Sequence, residues 1–158
     1  MENILFLVLG ILLGCVVGAI YTGKFFLNQI NKIKNKSDKN MMLYHLANEW
    51  LIKKQEGKNL AEYLSRQGYR KIAVYGMAYM GERFLDELKD SDVEVIYAID
   101  QNASNIYAYI DVVTPDAKLS DVDAVIVTSI AYFDEVKEKL SNKLHCPIVA
   151  LDDIIYAL

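Results

Sequence analysis

Two glycines five residues apart, Gly76 and Gly81, stand between a strand-like run, Ile72-Ala73-Val74-Tyr75, and an amphipathic run carrying Phe84, Leu85 and Leu88 on one face. In a strand–turn–helix phosphate site the first glycine permits the tight turn, a second lets backbone approach a pyrophosphate, and a third lets the helix pack on the strand. Gly76 and Gly81 fill the first and third roles, whereas Ala78 places a methyl group where the second should be bare. The turn Gly76-Met77-Ala78 thus has the form of a nucleotide-binding turn with weakened phosphate contact. Gly81-Glu82 is not the Gly-Lys of a P-loop, which argues against a Walker-type ATPase.

Asp100 closes the next strand-like run, some two dozen residues after Gly76, where an acidic side chain would hydrogen-bond a ribose hydroxyl. Its structural alternative is a cap on the following loop, with Gly76 and Gly81 serving only turn and packing. Thr128 and Ser129 follow a later strand, at the carboxyl edge where open α/β sheets bind ligands. Either could equally be an N-cap for the next helix. Other chemistry is scarce. His45 and His145 have no metal-ligand spacing to Cys146 beyond adjacency and read as structural. The Tyr-x-x-x-Lys pair of short-chain dehydrogenases is absent, and no Ser or Cys sits at a nucleophile elbow.

The elements that would position these residues are legible in the periodicity. Leu43, Leu46, Trp50 and Leu51 recur at helical spacing, with Trp50 as a packing anchor; after a break at Gly57, a short helix carries Leu60, Tyr63 and Leu64 and ends at Gly68. Strand-like runs follow at 71–75, 93–99, 124–128 and 147–151, with helical runs at about 80–90 and 132–141. Continuous apolar strands separated by amphipathic helices predict an α/β fold, a parallel sheet with helices on both faces. Only some nine residues separate Asp100 from a weak strand at about 110–113. A parallel crossover with its helix usually needs at least ~10–12, so this link is expected to be a loop. Thr114-Pro115 then starts a brief turn or helix.

Ahead of this domain, Ile4 to Tyr21 contain no charged side chain. As a helix they would cover roughly 27 Å, enough for a short membrane span. Met1-Glu2-Asn3 lacks the basic residue of a signal peptide, and apolar residues continue past Cys15, so an uncleaved transmembrane helix is favoured over a signal or lipoprotein segment. Lys24, Lys32, Lys34, Lys36 and Lys39 all follow the span, which places the C-terminal domain in the cytoplasm of a single-pass cell-membrane protein. Two cysteines give no disulfide framework. Residues 1–39 carry a net charge of +3 against −4 for the chain, leaving −7 on the remainder. So acidic a domain argues against nucleic acid as partner. The basic neck reads either as a contact to anionic lipid or as a plain topology signal. Gly10, Gly14 and Gly18 share one helix face and suit a homodimer seam in the bilayer. The expected organisation is an anchor at 1–23, a basic juxtamembrane linker at 24–40, whose polar stretch Asn28 to Asn40 reads as a linker or a frayed helix extension, and a domain at 41–158.

From about residue 44 to 156, the stretches "NEWLIKKQEGKNLAEYLSRQGYRKIAVYGMAYMGERFLDELKDSDVEVIYAIDQNA", "DVDAVIVTSIAYFDEVKEKL" and "CPIVALDDII" resemble small Rossmann-like NAD(P)/nucleotide-binding domains, related to CoA-binding domains, of bacterial surface-polysaccharide systems. The resemblance implies a Rossmann-like fold and a nucleotide-type ligand, NAD(P) or a nucleotide-sugar, mapped onto Gly76, Gly81 and Asp100; Ala78 is the departure. It also implies an accessory or regulatory role beside an enzyme of envelope-polysaccharide synthesis, and fixes no reaction. Two other readings stand beside it: an NAD(P)-dependent oxidoreductase or epimerase, and a scaffold with a decayed nucleotide site and a Tyr-rich docking face.

Overall fold

In the computed structural model the chain divides into two compact units, Met1–Met41 and Met42–Leu158. The structure describes residues 2–158, and no side chain at 2–5, 7–9 or 11–13. Helix α1 (Glu2–Gln55) supplies the first unit. Val16, Val17, Ile20, Phe25, Phe26 and Leu27 are exposed along it, and Gly10, Gly14 and Gly18 face open space. Of the span expected over Ile4–Tyr21, the side chains at 4, 5, 7–9 and 11–13 lie outside the described residues. Among the described residues, no helix is long and apolar enough to cross a membrane. Residues 24–40, with 28–40 expected as a linker or a frayed helix extension, are helical. No glycine or proline occurs between Lys24 and Gln55, so nothing in that segment interrupts the backbone hydrogen-bond ladder.

In the second unit, α1 ends at Gln55 and α2 (Leu60–Arg66) follows, its N-terminus capped by the Asn59 side chain accepting from the Glu62 N–H at 3.1 Å. Then come β1 (Lys71–Tyr75), α3 (Tyr79–Leu88), β2 (Glu94–Ile99), β3 (Val112–Val113), β4 (Ala124–Val127), α4 (Phe133–Ser141), β5 (Ile148–Ala150) and α5 (Leu151–Ala157). The sheet has five strands in the order β3-β2-β1-β4-β5, and every pairing is parallel. The chain builds outward from β1 to β3, then returns to lay β4 on the other side of β1. That reversal opens a crevice at the carboxyl ends of β1 and β4.

Alternation along the strands sends side chains to two cores. On one face Ile72, Val74, Ala98 and Ile126 meet Phe84 and Leu88 of α3, Leu60 and Leu64 of α2, Ile154 and Ile155 of α5, and Leu46 and Trp50 of α1. Trp50 is the anchor its spacing suggested: its ring stands 6.4 Å from Phe84 at 60°, and its Nε1 donates to Glu87 at 3.0 Å. Leu51, placed on the same stripe by spacing, is exposed. On the other face Ala73, Tyr75, Tyr97, Ile99, Val125 and Val127 meet Val136 and Leu140 of α4. The two faces are unequal, because the links β2–β3 and β3–β4 contain only short turns and no α-helix. The first was expected to be a loop, and Thr114-Pro115 does start a turn, closed by the Ala117 N–H on the Thr114 carbonyl at 3.0 Å. The result is that α4 is the one helix packed on the second face among the described residues.

Candidate functional site

β1 ends at Tyr75 and the chain turns at Gly76 with a φ of 96°, a left-handed backbone natural to glycine. The Gly76 N–H donates to the Ile99 carbonyl at 2.9 Å. A Cβ at Gly76 would collide with Ser129 Oγ and stand 2.9 Å from Thr128 Oγ1. Thr128, a buried polar residue, donates its hydroxyl to the Gly76 carbonyl at 2.5 Å. A Cβ at Gly81 would run into that same carbonyl oxygen, so the first turn of α3 rests directly on the turn after β1. Gly76, Gly81 and Thr128 are thereby joined in one close-packed knot, and both glycines do the turn and packing work that sequence assigned them.

Met77 is buried in the first core, and its N–H donates to Asp100 Oδ2 at 2.8 Å. The other Asp100 oxygen accepts from the Asn102 N–H at 2.8 Å. Asp100 thus ties the β1 turn to the loop after β2, which is the capping role weighed above, while each oxygen keeps a further lone pair. Ala78 is exposed at the head of α3, extended at φ −79°, ψ −167°, with no side-chain cap. Thr128 and Ser129 make no side-chain cap bond to the following helical turn either.

Asp100, after β2, and Ser129, after β4, both line a cleft of about 470 Å³ at the carboxyl ends of the strands flanking β1. Tyr75 is a further wall, the amides of Gln101 and Asn102 close one side, and Tyr132, Glu135 and Val136 close the other. Of the residues singled out from sequence, Asp100 and Ser129 line this cleft; Gly76, Met77, Gly81 and Thr128 are packed away from its lining, and Ala78 heads α3. The remaining lining residues were missed. Their signal was positional, since Gln101 and Asn102 directly follow β2 and Tyr132 lies at the entry to α4. Glu135 is paired with Lys139 at 2.7 Å, one helical turn on. The hydrogen bond from that lysine, then its charge, holds the Glu135 carboxyl below its ordinary value, and the same pair raises Lys139.

Hydroxyls, amides and carboxylates with apolar ring faces suit binding a polyhydroxyl or heterocyclic ligand. His45 and His145 are both exposed, and neither lines the cleft. Among the described residues no group of three His, Cys, Asp or Glu could hold a metal ion.

Fold and site together define a parallel α/β domain with a ligand-sized cleft where the strand order reverses. The chain belongs to the family described as C2185-like, N-terminal, which matches residues 68–147, just over half of its 158 residues. The match begins ahead of β1 and ends at Pro147, so it contains every residue lining the cleft. No curated protein and no solved structure matches the chain.

Proposed function

We propose that the chain is a membrane-anchored protein whose cytoplasmic, Rossmann-like domain binds a nucleotide or nucleotide-sugar, as an accessory or regulatory module of cell-envelope polysaccharide synthesis. The observation that carries the ligand reading is that Asp100 and Ser129 line one cleft at the strand-order reversal. A carboxylate ending β2 suits a ribose or sugar diol. The polysaccharide context rests on the resemblance over residues 44–156. The anchor rests on the uncharged run Ile4–Tyr21 and the five lysines after it.

Calorimetry on the full chain in mild detergent, with NAD, NADP, CoA and UDP-sugars, tests the ligand reading. Asp100→Asn keeps the shape and removes the charge, but its single acceptor oxygen can keep only one of the bonds from the Met77 and Asn102 N–H groups, so the melting temperature is read beside the affinity. A charge-assisted hydrogen bond contributes about 1.5–3 kcal/mol, so affinity should fall roughly ten- to a hundred-fold. No binding by the unaltered protein at millimolar ligand would replace this reading with that of a scaffold. The scaffold has its own support: Tyr79, Tyr107 and Tyr109 are exposed, and the N–H groups of Gly76 and Met77 are already engaged. For the anchor, a C-terminal reporter should be sheltered on the cytoplasmic side, and an externally accessible C-terminus would refute it.

A further inference from the structure

Behind Tyr75 lies a second cavity of about 330 Å³, between α4 and the start of the β3–β4 link, where the sheet's second face has no further helix. Tyr75 lines both cavities. The second is also lined by Pro115, Asp116, Lys139, Leu140 and Lys143. Tyr75 is only 6% exposed, yet its hydroxyl has no hydrogen-bond partner among the described residues. The ring is packed in the core while the hydroxyl itself reaches the cavity surface, where it is open to water or to a ligand supplied from outside the chain. The glycine turn offers little to such a ligand. The Gly76 and Met77 N–H groups go to Ile99 and Asp100, and the space a phosphate would need beside Gly76 is taken by the Ser129 and Thr128 hydroxyls.

The charges of the two lobes differ. The first holds the carboxylates Asp100 and Glu135; the second holds two ammonium groups against the single carboxylate of Asp116. Lys139 rests on Glu135 at 2.7 Å, and Lys143 donates to the Pro115 carbonyl at 2.6 Å with Asp116 at 3.8 Å. These pairs lie at the surface, where ion pairs hold weakly, and each ammonium has further donors to offer. We propose that a ligand in the cleft extends past Tyr75 and places its anionic group in this second lobe, on the Tyr75 hydroxyl, Lys139 and Lys143, rather than on the glycine turn. The lobes are offset along α4 from Glu135 to Lys139, one helical turn or about 6 Å. That offset suits a molecule whose hydroxyls and phosphate sit on one sugar, the chemistry of a nucleoside 5′-monophosphate. The inference rests on the reading of the cleft as a nucleotide site, and adds where the phosphate lies.

Binding of adenosine, AMP, uridine, UMP and inorganic phosphate to the full chain in mild detergent tests it by calorimetry. A monophosphate should bind at least about tenfold more tightly than its nucleoside, a preference the ionic donors of the second lobe would create. The double substitution Lys139→Met, Lys143→Met, which keeps the aliphatic stems, should abolish that preference, and Lys143→Met alone, which leaves the Lys139–Glu135 pair of the cleft intact, should reduce it and leave the nucleoside affinity unchanged. Tyr75→Phe, of nearly the same shape, should weaken the monophosphate several-fold without lowering the melting temperature. Equal binding of nucleoside and monophosphate overturns the inference while sparing the cleft. A preference that survives the double substitution does the same, since the phosphate then sits elsewhere. Failure of all the nucleosides and nucleotides to bind overturns the cleft reading and the inference with it.

Discussion

Replacing Gly81 by alanine should destabilise the domain, although α3 is a helix and alanine its best former. An ideal Cβ at Gly81 meets the Gly76 carbonyl oxygen head-on, lies 3.0 Å from the carbonyl carbon and 3.4 Å from Thr128 Oγ1. Because the obstacle is backbone held at a φ of 96°, relief requires α3 to lift from the end of β1. Overpacking of this kind costs about 1–3 kcal/mol. Loss of the Thr128 hydrogen bond to Gly76 adds about 0.5–1.5 kcal/mol. Against these stands a gain in helix propensity of at most about 1 kcal/mol, less in a first turn. The steric terms win, and a net loss of about 1–3 kcal/mol remains, which moves a urea midpoint down by roughly 0.5–1.5 M at a slope near 2 kcal/mol/M. Trp50 reports the transition, being the single tryptophan and buried against Phe84. Ala78→Gly, exposed and immediately before α3, is the control and should stay within about 0.5 kcal/mol. A Gly81→Ala protein as stable as the unaltered chain would show that α3 does not rest on the Gly76 carbonyl.

Two further outcomes follow from groups that tie strands to loops. Tyr97 donates its hydroxyl to the Ser120 carbonyl at 2.7 Å, and burial first, then the charges of Cys146 and Asp121, push its pKa up to about 12. Its contribution is whole below pH 10, the ordinary value, and is lost as pH rises toward 12; Tyr97→Phe should flatten that alkaline loss and cost about 0.5–1.5 kcal/mol at neutral pH, read by denaturation across the pH range. Asp123 accepts the Lys71 and Arg70 N–H groups at 2.7 and 2.9 Å, and those bonds, Lys71 first, lower its pKa. Its contribution is present above the ordinary value of 3.8 and lost as pH falls through the depressed one, so Asp123→Asn should give a shallower acid limb; an unchanged limb would place the acid sensitivity elsewhere.

The strands were legible because Ile72 to Tyr75 and Ala124 to Val127 are unbroken apolar runs, and a strand buried on both faces needs no alternation to declare itself. The loop between β2 and β3 was legible from its length alone. Two elements were not. Helix α5 follows β5 without a break, and the apolar run through Leu151 reads equally as the end of a strand; seven residues give too few turns for a period to show. The helical segment at 24–40 carries no apolar stripe that would mark it, only the lack of any residue that breaks a helix. In the site, Asp100 and Ser129 were found by standing just past strand ends. Tyr75 was read as one more apolar strand residue, since nothing in a sequence distinguishes a paired phenol from an unpaired one.

The same contacts explain why the near-motif cannot decide between a ligand site and a packed turn. Gly76 is required by its left-handed φ and by Ser129, and Gly81 by the Gly76 carbonyl, whether or not any phosphate binds. A glycine pair at this spacing is therefore demanded by the join of β1 to α3, and its presence carries no information about a ligand beyond the fold. Residues that could carry such information are those with no internal partner to satisfy. Asp100 is spent in part on Met77 and Asn102, and Thr128 on Gly76. Tyr75 is different, because removing its hydroxyl breaks no hydrogen bond among the described residues and leaves the ring in its core. Any effect of Tyr75→Phe on binding, with stability unchanged, would thus be an effect on the ligand itself, which no substitution at the glycine turn can isolate.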